Sequence, residues 1–179
     1  VRRSFKLKYD SIKRRNDESE FEKWCNGKTG YPIVDAGMRE LNETGFQHNR
    51  ARMNTSNFLV KILHIDWRIG ERIFATKLTD YDAMINNNSW QWTSGSGTDA
   101  QPYFRIFNPF LQSYKFDREC EYIKRWIPEL AEVEAADIHK WEDPKVREKY
   151  PNCKYPAPIV NRQEASKKAV QLFKNIISK

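Results

Sequence analysis

Residues 48–63 read HNRARMNTSNFLVKIL, polar on every side at the start and apolar at the end. Helical spacing gathers Phe58, Leu59, Ile62 and Leu63 on one stripe, whereas a strand, with its period of two, would split them between faces. Earlier in the run, Asn49, Arg52, Met53 and Ser56 fall at i, i+3, i+4 and i+7, so one helical face carries an amide, a cation and a thioether together. On spacing alone the better reading is a solvated face with Met53 turned to the core. The company this face keeps shifts the balance toward the wall of a site.

The same period governs the longer stretches on either side, and the expected fold class is all-α. In PIVDAGMREL, residues 32–41, Val34, Met38 and Leu41 recur at i, i+4 and i+7. Pro32 suits the first turn there, and the Thr44-Gly45 pair suits the stop. IGERIFATKL predicts a third helix and RECEYIKRWIPEL a fourth, which Pro128 ends or disturbs. Asn161 with Glu164 resembles a capping box ahead of Ala165, Ala169, Leu172, Phe173 and Ile176, so a closing amphipathic helix is expected. Between Trp141 and Pro158 the Pro, Lys and Tyr content suggests an irregular connector.

At 179 residues the chain is about one domain long. Thirty-one Lys and Arg against 24 Asp and Glu give a formal +7, an excess that favours a polyanionic partner, though weakly by itself. Six tryptophans leave some aromatic surface for stacking rather than packing. Cys25, Cys120 and Cys153 are odd in number and far apart, so neither a disulfide framework nor metal-ligand spacing is legible, and an intracellular setting is expected. No apolar run approaches the ~20 residues of a bilayer span, so no membrane partner is expected.

Chemistry concentrates in two adjoining stretches. DYDAMINNN holds Asp80 and Asp82 one residue apart, with Asn86 four further on. Paired carboxylates suit metal or acid-base work, while helix capping and turns are the commoner use of such residues. With no His or Cys at ligand spacing nearby, no metal is expected. An aspartate near Arg52 makes a charge-assisted pair fit to orient a polar heterocycle. The second stretch, NNNSWQWTSGSGTD, residues 86–99, sets Trp90 and Trp92 in a composition that looks like a loop.

Together WCNGKTGYPIVDAGMREL, TGFQHNRARM, FLVKILHIDWRIGERIF, DYDAMINNNSWQW and SGTDAQPYFRIFNPFLQSYKFD resemble the C-terminal, helical FAD-binding domain of the DNA photolyase and cryptochrome family. Within that family they are most similar to class I cyclobutane pyrimidine dimer photolyases. The HNRARM run, with Asn49 after His48 and Met53 at its end, is unlike the relatives that repair (6-4) lesions or those of the DASH type. The resemblance implies reduced FAD as cofactor, UV-damaged DNA as partner and a DNA-containing compartment as location. It implies that Arg52 pairs with Asp80 beside the flavin ring, that Asp80, Tyr81 and Asp82 line the flavin's polar edge, and that Asn86 faces N5. Asn49, Arg50, Met53 and Trp92 would meet the flipped lesion, with Arg105 and Gln112 on the flanking strand. Trp90 and Trp67 would be the first and second electron relays; as plain indoles they read equally well as core. The Gly-Ser stretch would let backbone pass close to ligand. The alternative is a cryptochrome-like photoreceptor, or a module that binds DNA or a protein and repairs nothing.

Two departures shape the expectations. The family usually places a third relay tryptophan ten positions before Trp24, where this chain has Arg14. An arginine carries no electron hole, so slow photoreduction of oxidised flavin without added reductant is expected, alongside intact repair once the flavin is reduced. Flavin absorbance followed under illumination checks this, and rapid unaided photoreduction would refute it. The chain also looks like a partial, N-terminally truncated flavin domain over 1–179, without the family's N-terminal α/β antenna domain, phosphate loop and two of its lesion-reading residues. It is therefore expected to bind no antenna chromophore, to bind flavin weakly alone, and to need a separate chain or missing segment that completes the site.

Overall fold

The computed structural model describes residues 3–100 and 102–177, with the side chain of residue 177 excepted. Gln101, inside the SGTDAQPYF motif, lies outside the described residues. No strand occurs among those described. The α-helices are α1 (Glu18–Cys25), α2 (Pro32–Thr44), α3 (Asn49–Asn57), α4 (Trp67–Lys77), α5 (Ala83–Ser94), α6 (Pro109–Phe116), α7 (Glu121–Trp126), α8 (Ala135–Ile138), α9 (Pro144–Glu148) and α10 (Arg162–Ile177). The chain packs as two compact units, one of residues 1–21, 56–106 and 160–179, the other of residues 22–55 and 107–159.

In the first unit α4 lies along α5, and α10 covers a π turn at Phe58–Ile62. That turn is closed by Leu63 N–H donating to the Phe58 carbonyl at 3.0 Å, five residues back. All five of its residues are buried, so the apolar end of the opening stretch is enclosed on every side rather than along one stripe. Enclosure includes Lys61, whose ammonium donates to the Ser94 carbonyl at 3.3 Å and the Tyr103 carbonyl at 3.1 Å and sits 4.1 Å from the centre of the Phe173 ring. Burial and the nearby Arg14 charge pull its pKa down to about 7. Helix starts follow local chemistry. Asp66 accepts from Arg68 N–H, and Asn161 accepts from the N–H groups of Gln163 and Glu164, the latter as the capping pattern anticipates.

In the second unit α2 packs on α6 and α7, burying Val34, Met38 and Leu41 as their spacing predicts. Gly45 ends α2 in the left-handed region at φ 69°, its N–H on the Leu41 carbonyl. The helix expected in RECEYIKRWIPEL is α7, which stops at Trp126, and Pro128 opens a 3-10 turn, Pro128–Leu130. The 141–158 connector differs from expectation in holding α9, which Asp143 starts by accepting from Lys145 N–H. Asp143-Pro144 is a cap followed by an N1 proline, a signal outweighed in the sequence by the surrounding Pro and Tyr. Asp35 organises this unit. Its buried carboxylate accepts from Thr29 N–H at 2.9 Å, Thr29 Oγ1 at 2.6 Å, Gly30 N–H at 2.9 Å and the Tyr155 hydroxyl.

His64, just after the π turn, has a left-handed φ of 56°, and its ring is buried. Burial first, then the Arg14 and Arg15 charges, lower its pKa to about 4. An unfolded histidine takes up its proton near pH 6.5, the folded one only near 4, so stability present above 6.5 is lost as pH falls through that window. Each step of one pH unit across it removes about 1.4 kcal/mol. Replacing His64 by Asn, a residue that tolerates φ > 0, is expected to flatten this acid limb. Urea midpoints between pH 7 and 4 measure it, and an unchanged slope would refute the assignment.

Candidate functional site

The stretch that composition marks as a loop is a helix. NNNSWQWTS completes α5, and Gly95 caps it in the left-handed region at φ 82°. The reason lies at the other end, where the Asp82 carboxylate accepts from Met84 N–H at 2.9 Å and Ile85 N–H at 2.8 Å and so starts the helix. Capping, the bland role for this acidic cluster, is thus one that Asp82 fills. Ser94 and Ser96 are buried with their hydroxyls 2.6 Å apart, so the Gly-Ser stretch closes the helix as a packed turn.

On a helix, positions 86 and 90 share a face and position 92 does not. Asn86 and Trp90 are both buried and turn toward α4. The Asn86 amide donates to the Glu71 carbonyl at 3.2 Å and to Glu71 Oε1 at 3.0 Å. One turn on, Trp90 meets Phe74 edge-on with ring centres 5.0 Å apart and fills the notch at Gly70, where any Cβ would stand 2.3 Å from the indole. Trp67, at the start of α4, is equally buried, with the Arg68 guanidinium 4.9 Å from the indole centre, and its Nε1 has no hydrogen-bond partner among the described residues. Trp92 is half-buried on a different side of α5. Asp80, Tyr81 and Asp82 are exposed ahead of the helix, with Tyr81 donating toward Glu71 Oε1 at 3.5 Å. Met84 and Ile85 in the first turn are 75% and 68% exposed, a large apolar surface beside those polar groups. Arg105 is exposed in the same unit. Glu71, which fixes the Asn86 amide, escaped sequence reasoning because its partner lies fifteen positions away on another helix.

The remaining predicted residues belong to the second unit, so the Arg52 and Asp80 of the expected pair lie in different units. Within its own unit Arg52 donates from Nε to the Gln47 carbonyl at 2.6 Å and lies 5.7 Å from the Phe46 ring centre. Arg50 lies 4.2 Å from the centre of the Phe116 ring. Asn49 is exposed and Met53 half-buried. Gln112 is half-buried, its Oε1 without a hydrogen-bond partner among the described residues. Around it α6 exposes Leu111, Tyr114 and Phe116, with Lys115 5.3 Å from the Phe116 ring centre and Arg118 5.4 Å from that of Tyr114. Aromatic faces interleaved with cations are the composition that stacks bases and tracks a phosphate backbone. The signal was present as FLQSYKFDR, but only a helix gathers those residues.

No helix among the described residues is long and apolar enough to cross a membrane. The family model described as the FAD binding domain of DNA photolyase matches residues 1–175. A deoxyribodipyrimidine photo-lyase of Vibrio cholerae is 51% identical over 160 residues, covering 89% of this chain and 33% of its own length. Among solved structures, a bacterial class III photolyase from Agrobacterium tumefaciens superposes with TM-score 0.93 at 43% identity, over 99% of this chain and 38% of its own. An archaeal photolyase from Sulfolobus tokodaii, solved with two FAD molecules, gives 0.89 at 48% identity, over 97% of this chain and 39% of its own. The chain thus spans about a third of the length of the relatives it matches.

Proposed function

This chain belongs to the family of DNA photolyase FAD-binding domains, and from that premise we propose that it is the flavin-proximal part of a light-driven enzyme that repairs cyclobutane pyrimidine dimers in DNA. FAD, when bound in reduced form and excited by near-UV or blue light, supplies the electron that splits the cyclobutane ring and afterwards regains it. The residues present fit a flat guest with one polar edge. Exposed Asp80, Tyr81 and Asp82 adjoin the bare apolar surface of Met84 and Ile85 at the head of α5. Asp80 would hold the polar edge of the ring, and Asn86 would present its amide to the flavin. The observation that carries this reading is the double hydrogen bond from Asn86 to Glu71, which orients an amide one turn before a buried indole.

Asn49, Arg50, Met53 and Trp92 receive the extruded dimer, which is cheap to take out of the stack because it pairs poorly. Arg105 and Gln112 hold the neighbouring strand, so affinity falls with salt. Trp90 and Trp67 would relay electrons toward a bound, oxidised flavin and would play no part in splitting the dimer. No side chain has to act as a general acid or base.

The test is photorepair by this chain fused behind the N-terminal two thirds of the Vibrio cholerae relative. Dimer-containing DNA is expected to be restored under blue light. Persistent dimers with flavin bound would overturn the repair reading in favour of a photoreceptor. In the same fusion, Trp92→Ala is expected to weaken binding of dimer-containing DNA by about 1–3 kcal/mol, the worth of one base–aromatic stack, and that of undamaged DNA by much less. Equal losses measured by filter binding would remove Trp92 from the lesion pocket.

A further inference from the structure

A cavity of about 350 Å³ opens in the first unit between residues 13–15, His64 and one side of α10. Four of its lining side chains are cations, Lys13, Arg14, Arg15 and Lys168, joined by the amide of Gln171. No acidic side chain lines it among the described residues. The frame is fixed by backbone. Arg15 N–H donates to the His64 carbonyl at 3.0 Å and Asp66 N–H donates to Asn16 Oδ1 at 2.9 Å. Asn16 and His64 both occupy the left-handed region, φ 47° and 56°, a conformation that costs energy and clusters at ligand sites.

His64 is 7% exposed, and its Nε2 has no hydrogen-bond partner among the described residues. The ring's hydrogen bond to the Ala165 backbone takes its one N–H, which leaves Nε2, buried on a ring that lines this cavity, as a lone-pair acceptor. Arg15 is paired with Glu20, and the Arg14 guanidinium lies 5.9 Å from the Phe173 ring centre. Burial lowers the Arg14 pKa to about 10, with Asp66 only partly offsetting it. The four cations are offset by two acids, Glu20 and Asp66, so positive charge stays in excess and an anion in the cavity would balance it.

We propose that this cavity binds a small phosphate monoester bearing a hydroxyl or amine, of the sugar-phosphate or nucleotide class. The phosphate sits among Lys13, Arg14, Arg15 and Lys168, and a hydroxyl or amine of the same molecule donates to His64 Nε2. The volume is at the small end of the range for ligand pockets and suits one ring with one phosphate. A polymer backbone is a poorer fit, because the unpaired acceptor lies buried at the cavity wall. The site uses residues of one unit alone and does not depend on the flavin and repair reading.

Calorimetric titration of the full chain with inorganic phosphate, ribose 5-phosphate and AMP tests it. Both esters are expected to bind saturably and at least tenfold more tightly than inorganic phosphate. Lys168→Gln should weaken both by roughly tenfold, and His64→Asn should abolish the preference over inorganic phosphate. Circular dichroism melts check that the variants fold. If Lys168→Gln does not, Lys13→Gln, on an exposed residue, carries the same expectation. The proposal is overturned if none of the three ligands saturates, if phosphate binds as well as the esters, or if the lysine variants bind unchanged. Displacement of ribose 5-phosphate by an undamaged DNA duplex would equally overturn it, by giving the cavity to nucleic acid.

Discussion

Alanine in place of Asp35 is expected to lower the unfolding free energy by about 4 kcal/mol, because each buried donor left without an acceptor costs about 1–3 kcal/mol. Three donors besides the Thr29 hydroxyl end on this carboxylate: the N–H groups of Thr29 and Gly30, and the Tyr155 hydroxyl. None has room to turn to water, since Asp35 and Thr29 are wholly buried and Tyr155 nearly so. Gly30 has no slack either, because a Cβ there would stand 2.4 Å from the Ala157 carbonyl. For a chain of this size the melting temperature should fall by roughly 10 °C. Urea unfolding followed by tryptophan fluorescence measures the loss, and a change below about 1 kcal/mol would show that the network adds nothing.

The same carboxyl gives a pH signature of definite sign. Burial outweighs its hydrogen bonds and raises its pKa to about 6. The folded chain therefore holds this proton more tightly than the unfolded chain, so ionisation costs stability as pH rises from about 4 to 6. The advantage of the native protein over Asp35→Asn is expected to widen as pH falls through that window. It is opposite in sign to the His64 effect, and the two partly cancel in the unaltered protein, which is why each needs its own variant.

Trp90→Ala is the second large effect, about 3–5 kcal/mol for emptying a fully packed indole site. The indole is 2% exposed, edge-on to Phe74 and seated against Gly70 and Leu59. Gly70→Ala approaches the same contact from the other side. Its methyl would press 2.3 Å from Trp90 and 2.5 Å from Leu59, an overpacking worth about 1–3 kcal/mol. Trp90→Phe separates packing from electron relay. It keeps most of the buried surface and, on the repair reading, is expected to leave dimer splitting intact while slowing flavin photoreduction. Unfolding midpoints and flavin absorbance under illumination provide the two readouts. Photoreduction at an unchanged rate would remove Trp90 from the relay role, and slowed repair with pre-reduced flavin would show that it also acts in splitting the dimer.

Much of the fold was legible because its signals are local. The spacing of Val34, Met38 and Leu41, the Gly45 stop, the Asn161 cap and the Pro128 break each act within one or two helical turns. The α5 helix was not, because three asparagines and a Gly-Ser tail have low helix propensity. Packing against α4 and the Asp82 cap override that preference. The buried Lys61 was equally hidden, since nothing in FLVKIL tells that two carbonyls, 33 and 42 positions away, converge on its ammonium.

What the sequence determined by itself is the helical period, the caps and the ordered motifs that mark the family, since each depends on neighbours close along the chain. Only the tertiary structure decided that Glu71 holds Asn86, that Gly70 makes room for Trp90, that Trp90 and Trp92 leave one helix in different directions, and that the basic 13–15 segment closes against His64 and α10 into a cavity. Those relations join residues distant in sequence. They exist only once apolar faces have been buried together, and burial is a property of the packed chain that no local pattern encodes.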